Sequence, residues 1–470
     1  MQCLKVFVFL RKGVDDMAKK TKKTMGKRHL SPTQIIAIVF AAIILLGAIL
    51  LTLPVSSRSG ESAGFLPALF TATSATCVTG LVMFDTWTQW SALGQTVIIC
   101  MIEIGGLGFM SAASFVIFLL RKRVGLRERM VMAQALSVND MASVVRLQKV
   151  VLFGSLLVQL TGALILMLHF LPQYGLGQAV KWGLFHSVSA FCNAGFDIFG
   201  CLKEGGSLTM FQSDPVVLLT LASLVIIGGL GFFVWEEIVR IHNWKRFSVY
   251  TKLVLLMTGS LLIIGTVGVC LLEWNNAETL GSMPWYDKLL GGFFQSVTVR
   301  TAGFDALGQG GMTDGGKVWS MILMLVGGSS GSTAGGAKTV TMTVLVLFLW
   351  SRIRGKGSVS VFKHTVPANQ VLDAMTVVSI MVGLALFGGL FISATSPIGF
   401  TDGLYEAVSA LATTGLTTGV TTSLSIPAQI LMIIYMYFGR VGILTLSIGF
   451  LMGSQAQERV RYANTNLLIG

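Results

Sequence analysis

The sequence predicts an all-α membrane protein, on the strength of its composition, its apolar runs and an internal motif that occurs four times. Of the 470 residues, 53% are hydrophobic and only 12% are charged, whereas soluble domains carry about 25% charged residues. The mean hydropathy is +0.76. Apolar runs long enough to cross a ~30 Å hydrocarbon core as a helix lie most clearly at 34–53, 150–170, 216–235, 253–272, 377–392 and 430–451. A soluble protein is therefore excluded.

The positions of the basic residues indicate which side of the membrane each connection faces. The formal net charge is +13, and most Lys and Arg residues lie in 1–33, 121–149, 240–252, 352–363 and the tail after 455, each next to an apolar run. Lys/Arg-rich segments at alternate connections are typical of cytoplasmic loops, so both termini are expected in the cytoplasm. The intervening connections carry more acidic than basic residues, which favours cation entry from the outer side. The basic excess thus reflects topology, and no nucleic-acid partner is expected.

The internal motif places an aromatic residue ten positions before a glycine. The four pairs are Phe70 and Gly80, Phe185 and Gly195, Phe293 and Gly303, and Tyr405 and Gly415. Three copies carry Ser-Ala six and five positions before the glycine. The third carries Val-Thr there, or its Thr298 aligns with the serines if one residue is missing. Small residues are common at helix contacts in membranes, but four copies on one side at near-constant spacing indicate a true repeat.

Each repeat unit contains an apolar span, about a dozen mildly apolar residues that are too short to cross a membrane, the motif, and a second apolar span. The predicted architecture is eight transmembrane helices and four re-entrant pore loops, in four tandem helix–pore loop–helix repeats with pseudo-fourfold symmetry around one pore. The predicted boundaries are a basic cytoplasmic N-terminal tail 1–33, repeat 1 at 34–122, repeat 2 at 147–240, repeat 3 at 250–352, repeat 4 at 370–454 and a cytoplasmic C-terminal tail 455–470.

The repeated loops have the chemistry of a cation filter. Non-helical backbone at membrane depth persists only when it is buried or lines a watery cavity, and converging carbonyls can replace the hydration shell of a cation. Glycine supplies the positive φ that turns successive carbonyls toward one axis. The candidate ion selectivity filter consists of Val78, Thr79, Gly80, Asn193, Ala194, Gly195, Thr301, Ala302, Gly303, Thr413, Thr414 and Gly415. None is charged, which favours potassium over calcium, and one glycine per loop predicts one dominant ion site. Arg300 is expected to turn away from the pore and hold its loop.

The motifs QSVTVRTAGF and LATTGLTTG resemble those of the Trk/Ktr/HKT superfamily of potassium transporters, and most nearly KtrB, the membrane subunit of bacterial Ktr potassium uptake systems. The resemblance extends from about residue 30 to the end. It implies a potassium-selective subunit in the bacterial inner membrane, with potassium as its substrate and no organic cofactor. Whether sodium is a coupling or an activating ion is left open by the sequence. The resemblance further implies a cytosolic KtrA-like ring of nucleotide-binding regulatory domains and a homodimer with residues 466–470 at the contact.

A glycine-rich segment, GGSSGSTAGGAKT at 327–339, interrupts the second apolar span of repeat 3. It looks like a damaged phosphate-binding loop, but that motif requires lysine directly after glycine, and Ala337 intervenes before Lys338. No strand is expected around it, so nucleotide binding is excluded. The family resemblance implies an intramembrane gating loop, with Gly327, Gly328, Gly331, Gly335, Gly336 and Lys338 as the gate residues. A segment without helix is expected to move easily, as a gate must.

A second glycine pattern supports the repeat layout. The segments 105–108, 228–231, 328–331 and 439–442 occupy matching places in the second spans, and the fourth repeat has Arg440 where the first two have glycine. A charge within a span is costly and usually functional. Arg440 is expected to pair with Glu103 or to form an electrostatic barrier below the filter, with a purely structural pair as the alternative.

Two other function classes fit less well. A secondary transporter for another monovalent cation or a small solute predicts paired inverted repeats and an intramembrane carboxylate site, whereas this chain shows four parallel repeats. A membrane-embedded enzyme requires a cluster of nucleophile, base or metal ligands. The six cysteines and five histidines form no such pattern, so the chain is not expected to be an enzyme.

Overall fold

The computed structural model describes residues 32–108 and 144–442, which are mostly helical. Its helices are α1 (Pro32–Thr52), α2 (Phe65–Cys77), α3 (Thr86–Gln89), α4 (Ala92–Leu107), α5 (Val144–Phe191), α6 (Pro215–Gly229), α7 (Phe232–Ile241), α8 (Val249–Glu273), α9 (Trp285–Thr298), α10 (Asp314–Leu325), α11 (Thr339–Ile353), α12 (Ala368–Thr395), α13 (Phe400–Ala412) and α14 (Ile426–Val441). Short 3₁₀ turns occupy Pro54–Ser56, Phe199–Cys201, Thr209–Phe211, Trp244–Arg246, Gln309–Gly311 and Thr421–Ser423. A two-residue antiparallel ribbon pairs β1 (Ser360–Val361) with β2 (His364–Thr365).

Long apolar helices alternate with short ones along the described chain. Within the described residues, α1, α5, α8 and α12 are long and apolar enough to cross a membrane. Many of their large apolar side chains, such as Leu46, Ile263 and Leu390, are exposed on the protein surface. Helices that are apolar on their outer as well as their inner faces are typical of membrane spans.

Short helices precede three of the four motif loops, and the second part of α5 precedes the other. α2 and α13 have 13 residues each and α9 has 14, too few to cross a bilayer core, which needs about 20. α5 is kinked at Gly175, whose φ is 74°, so its second part is a separate short helix. α1 packs on α2, α8 on α9 and α12 on α13. Contacts between α4 and α5, α6 and α9, α10 and α13, and α14 and α2 link consecutive repeats and join the last to the first.

The helices that follow the loops are broken at equivalent glycines. Gly108 (φ 82°) and Gly442 (φ 94°) cap the C-termini of α4 and α14, and Gly231 (φ 94°) separates α6 from α7 at a bend of 94°. In the third repeat the break widens into the segment between α10 and α11, where Gly331 has φ 68°. The apolar run 216–235 is therefore not one straight helix. A helix cannot continue through a residue at such positive φ, and glycine adopts it at little cost.

Glycines in these second helices also allow close packing against the short helices. A Cβ built on Gly105, Gly228 or Gly439 would collide with the carbonyl oxygen of Thr76, Phe191 or Leu411, respectively. These three carbonyls lie at the C-terminal ends of short helices, directly before the motif loops. The missing side chains therefore bring the second helices of repeats 1, 2 and 4 against the base of each loop.

Several sequence predictions concern residues outside the described part of the chain. These are nearly all of the N-terminal tail 1–33, residues 109–122 of repeat 1, most of the basic segment 121–149, the end of repeat 4 after 442, and the C-terminal tail with the dimer contact predicted at 466–470.

Candidate functional site

The four motif loops share one backbone conformation. Each has a residue in the left-handed region two positions before its glycine: Val78 (φ 57°), Asn193 (φ 59°), Thr301 (φ 65°) and Thr413 (φ 52°). The glycines themselves also have positive φ: 100° at Gly80, 68° at Gly195, 82° at Gly303 and 93° at Gly415. Two positive φ values separated by one ordinary residue turn consecutive carbonyls toward the same side, which L residues resist unless the surroundings enforce it.

The four loops meet in a closed cycle. A Cβ built on Gly80 would lie 2.6 Å from the carbonyl oxygen of Ala194, and one built on Gly195 would lie 2.7 Å from that of Ala302. A Cβ on Gly303 would collide with the carbonyl oxygen of Thr414, and a Cβ on Gly415 with that of Thr79. Each glycine therefore faces the carbonyl of the next repeat, and the last faces the first. All twelve predicted filter residues lie in these four loops and are buried.

A buried hydroxyl braces each loop from inside its own turn. Ser189 Oγ donates to the carbonyl of Phe196, and Thr298 Oγ1 to the carbonyl of Phe304, both at 2.7 Å. In the first and fourth loops the serine hydroxyl instead accepts from the glycine N–H at 3.0 Å: Ser74 from Gly80, and Ser409 from Gly415. Thr298 is thus the equivalent of the three serines. The third motif is one residue shorter between hydroxyl and glycine, which settles the alignment that the sequence left open.

Above the loops lies a cavity of about 380 Å³ that all four glycines line. Asp85, Asp197 and Asp305 also line it and make its wall negative. Burial raises the pKa of Asp197 to about 6, with a further contribution from the charge of Asp85. Asp85 caps α3 by accepting from the N–H groups of Trp87 and Thr88. This acidic side chain of the cavity wall therefore also fixes the backbone at the start of α3.

Two polar side chains, Glu406 and Gln309, that were not predicted from the sequence hold the fourth and third loops from behind. Glu406 is buried on α13 and accepts from the hydroxyls of Thr417 (2.5 Å) and Thr421 (2.8 Å), which follow the fourth loop. Gln309, after the third loop, accepts from Tyr405 Oη at 2.8 Å and from Gln295 Nε2 at 2.7 Å. The bond between Tyr405 and Gln309 joins repeats 3 and 4. The Glu and Gln positions are not repeated elsewhere, so the fourfold pattern gave no signal for them.

His186 performs the same task in repeat 2. Its Nε2 accepts from the N–H of Ile198 at 3.2 Å, and its Nδ1 donates to the carbonyl of Trp182 at 2.8 Å. The ring is buried and stacks on Phe199 with centroids 3.9 Å apart. A neutral imidazole satisfies both contacts, so this histidine fixes the segment just after Gly195.

Below the loops lies the glycine-rich segment between α10 and α11. Its two ends close on each other, since Gly327 donates its N–H to Ala337 O at 2.9 Å and Thr339 donates its N–H to Gly328 O at 3.0 Å. Lys338 Nζ donates to Ala334 O at 2.9 Å. A Cβ on Gly335 would collide with Thr413 Oγ1 of the fourth motif loop. The segment lacks helix yet is well hydrogen-bonded, and it lies against the underside of the loops.

Comparison with known proteins adds the family. The family profile described as TrkH, cation transport protein, matches residues 6–459. The chain belongs to this family. The potassium/sodium uptake protein NtpJ of Enterococcus hirae is 38% identical to it over 454 residues, which cover 96% of this chain and 99% of NtpJ. Ktr system potassium uptake protein B of Bacillus subtilis is also 38% identical, over 97% of this chain and 100% of its own length.

The fold agrees with that assignment. The crystal structure of the potassium transporter TrkH from Vibrio parahaemolyticus matches this TrkH-family chain with a TM-score of 0.70, at 17% sequence identity, over 90% of this chain and 86% of that one. The predicted resemblance to the Trk/Ktr group is confirmed by these matches. Membership in this family identifies the chain as a cation transport protein and not an enzyme.

The predicted pairing of Arg440 with Glu103 is absent from this TrkH-family chain. Arg440 instead donates to backbone carbonyls: Nη1 to Thr333, and Nη2 to Gly105 (2.5 Å) and Gly106 (2.9 Å). Glu103 accepts from Gln159 Nε2 at 3.0 Å and from Cys192 Sγ at 3.3 Å. The guanidinium reaches the carbonyls that the ending of α4 leaves free, so the helix end, not a carboxylate, is its partner.

Arg300 is buried, and its Nε has no hydrogen-bond partner within the described residues. It lines a small cavity behind the loops together with Thr258 and Gly328. That Arg300 turns away from the pore and holds its loop stays a prediction, and the hydroxyl of Thr298 braces the same loop.

Proposed function

We propose that this chain takes up potassium across the bacterial plasma membrane as the ion-translocating subunit of a Ktr-type system. The observation that carries the proposal is the closed cycle of four uncharged loops, in which each glycine faces the carbonyl of the next repeat. Backbone carbonyls converging on one axis suit a dehydrated monovalent cation. The relatives named for potassium uptake in Enterococcus hirae and Bacillus subtilis support the choice of ion.

The proposed architecture is eight transmembrane helices and four re-entrant pore loops around one pseudo-fourfold axis, with repeats at 34–122, 147–240, 250–352 and 370–454. Its support is the alternation of long helices, short helices and glycine-broken helices in the described residues. Each short helix directs its C-terminal end, which is partly negative, toward its motif loop, an arrangement that favours a cation at the loops.

The proposed filter comprises the twelve residues from Val78 to Gly80, Asn193 to Gly195, Thr301 to Gly303 and Thr413 to Gly415. In this proposal the carbonyls of Thr79, Ala194, Ala302 and Thr414 coordinate potassium as substrate. The side chains contribute no charge, so selectivity depends on how closely the backbone is held.

The proposed gate is the segment 327–339, with Gly327, Gly328, Gly331, Gly335, Gly336 and Lys338 as its gate residues. Its support is its contact with the underside of the motif loops, where Gly335 packs against Thr413; in this proposal the segment obstructs the axis. Arg440 holds it there by donating to the carbonyl of Thr333 and adds a positive charge beneath the filter, which opposes cation passage while the segment is in place.

The proposed assembly is a homodimer in the lipid bilayer, bound on its cytoplasmic side to a KtrA-like nucleotide-binding ring, with both chain termini cytoplasmic. The basic segments 240–252 and 352–363 are suitable docking sites for such a ring. Sodium is retained as a coupling or activating ion because the Enterococcus hirae relative is named for both potassium and sodium.

Growth and uptake in a potassium-uptake-deficient bacterium test the ion. The full chain, expressed with a cytosolic regulatory subunit, is expected to restore growth at low potassium, and excess rubidium should inhibit uptake more strongly than excess sodium. Growth equal to that with an empty vector would contradict the potassium assignment. Uptake of another monovalent cation or a small solute without potassium would favour the secondary-transporter alternative.

Deletion of residues 329–337 tests the gate. Because the ends of the segment already meet at Gly327 and Ala337, a short closure is sterically feasible, and the deletion is expected to raise the initial rate of potassium uptake several-fold. The matched control is Gly383→Ser on the surface of α12, where an added Cβ meets nothing within 4 Å. An unchanged uptake rate in the deletion variant would remove the gating role.

A further inference from the structure

Thr333, in the middle of the glycine-rich segment, is fully buried and contacts three other parts of the chain. Its Oγ1 lies 3.1 Å from Asn193 Oδ1 and 3.1 Å from the carbonyl oxygen of Phe191, both in repeat 2. Its N–H donates to Gly228 O of α6 at 3.3 Å. Its carbonyl accepts from Arg440 of α14. One residue of repeat 3 thus joins the second motif loop, the helix that follows that loop, and the last described helix of the chain.

The contact with Asn193 reaches a motif loop through a side chain. Asn193 is the left-handed residue two positions before Gly195, and the equivalent positions in the other loops hold Val78, Thr301 and Thr413. The hydroxyls of Thr301 and Thr413 have no hydrogen-bond partner within the described residues. Of these four equivalent side chains, the amide of Asn193 is the one hydrogen-bonded to the segment below.

The space around this contact is closed. A Cβ built on Gly228 would lie 2.9 Å from Thr333 Oγ1 and 3.0 Å from Asn193 Oδ1. A methyl group would not fit there, and Asn193 is 1% exposed. If the segment moved away, Asn193 Oδ1 and the Phe191 carbonyl would lose a donor that they share, and a buried acceptor without a partner is costly. The second loop is therefore expected to rearrange when the segment leaves.

We propose that Thr333 is a positioning residue that couples the glycine-rich segment to ion selection, by fixing Asn193 while the segment is in place. The inference rests on the proposed function of that segment as gate and of Asn193 as part of the filter. Because coupling between two sites acts in both directions, occupancy of the filter then also affects how firmly the segment is held.

The test compares three variants of the full chain in a potassium-uptake-deficient bacterium. Thr333→Val removes the hydroxyl and keeps the shape, whereas Thr333→Ser keeps the hydroxyl. Gly383→Ser on the surface of α12 is the matched control, because an added Cβ there meets nothing within 4 Å. The two readouts are the initial rate of rubidium uptake and the sodium concentration that half-inhibits it.

Thr333→Val is expected to raise the uptake rate and to lower discrimination against sodium, each by about two- to tenfold, the range that one neutral hydrogen bond provides. Thr333→Ser and Gly383→Ser should remain near wild type. A raised rate with unchanged discrimination would overturn the coupling, as would a Thr333→Val variant indistinguishable from wild type.

Asn193→Val gives a second measurement if Thr333→Val does not reach the membrane. It places the residue of repeat 1 at this position and removes the same contact from the filter side, so it should change the uptake rate as well as ion discrimination. An altered discrimination at an unchanged rate would overturn the inference. Where deletion of 329–337 raises flux but these variants do not, the coupling fails and the gate stands. Where the deletion also leaves flux unchanged, the proposed gating function itself fails.

Discussion

In the motif loops themselves, all four repeats contribute equivalent parts: a short helix, a hydroxyl brace, a left-handed residue and a glycine that faces the next repeat. On the side of the loops where the glycine-rich segment lies, the parts are unequal. One segment of repeat 3 fills the space, Arg440 of repeat 4 holds it, and Asn193 of repeat 2 receives its hydrogen bond. A ring of equivalent carbonyls suits an ion that must be coordinated evenly. In the proposed function, a single segment beneath this ring suits control, because one movement would open the path.

The largest effect on ion discrimination is expected from substituting a filter glycine, because the four loops then no longer contribute equivalent parts. Gly303→Ser adds a Cβ where φ is 82° and where that atom would collide with Thr414 O. The third loop must then shift, and the carbonyl cycle opens. We expect at least a tenfold loss of discrimination between potassium and sodium, measured by competition in rubidium uptake.

The control for this substitution is Gly383→Ser, which meets open space on α12. The amounts of the two variants in the membrane, measured after detergent extraction, should be similar. If Gly303→Ser retained wild-type ion discrimination, the equivalence of the four loops would not extend to the third, and the filter assignment would have to be withdrawn there.

The equivalent outer parts were predictable from sequence, whereas most of the inner contacts were not. Gly80 and its three counterparts stand out because only glycine tolerates their backbone conformation, so they recur at fixed places. Arg440 was visible as a charge within a span, but its partners are backbone carbonyls, which every residue carries. The contact between Thr333 and Asn193 joins positions far apart in sequence, so no local pattern encodes it.

The helices, too, could be predicted only in part from the sequence. The long spans followed from their apolar runs, but the helix ends at Gly108 and Gly442 and the bend at Gly231 did not, because glycine is frequent in membrane helices. The alignment of Thr298 was likewise ambiguous until its hydroxyl was seen to donate to Phe304 O.

Removing the hydroxyl brace of one loop is expected to have a smaller effect on ion discrimination than substituting a filter glycine. Thr298→Val removes the donor to the Phe304 carbonyl but keeps the side-chain shape, which leaves a buried acceptor unpaired at a cost of about 1–3 kcal/mol. Since the other three loops keep their braces, we expect discrimination between potassium and sodium to fall only several-fold. The measurement is the same competition assay.

Thr298→Ser is the matched control, because it restores the hydroxyl that the other three loops carry on serine. It should recover wild-type discrimination. If Thr298→Val matched wild type, the third loop would be held by other contacts, and the four braces would not be functionally equivalent.

The smallest expected effect concerns the charge of the outer cavity. The pKa of Asp197 is raised to about 6 by burial and by the charge of Asp85, so the carboxylate is charged above pH 6 and neutral below it. Its folded-state pKa lies above the ordinary aspartate pKa of 3.8, so this group favours folding most at low pH, and its contribution declines as pH rises toward 6. The same ionisation adds one negative charge to the cavity wall. We expect uptake at low potassium to rise about twofold as the external pH increases through 6, which is the size of effect that one charge screened by salt and water allows.

Asp197→Asn should flatten this pH dependence at low ionic strength without changing ion discrimination, because Asp85 and Asp305 keep the cavity negative while the carbonyl cycle below is untouched. A pH profile identical to that of wild type would show that the outer cavity acts through its shape and not through the charge of Asp197.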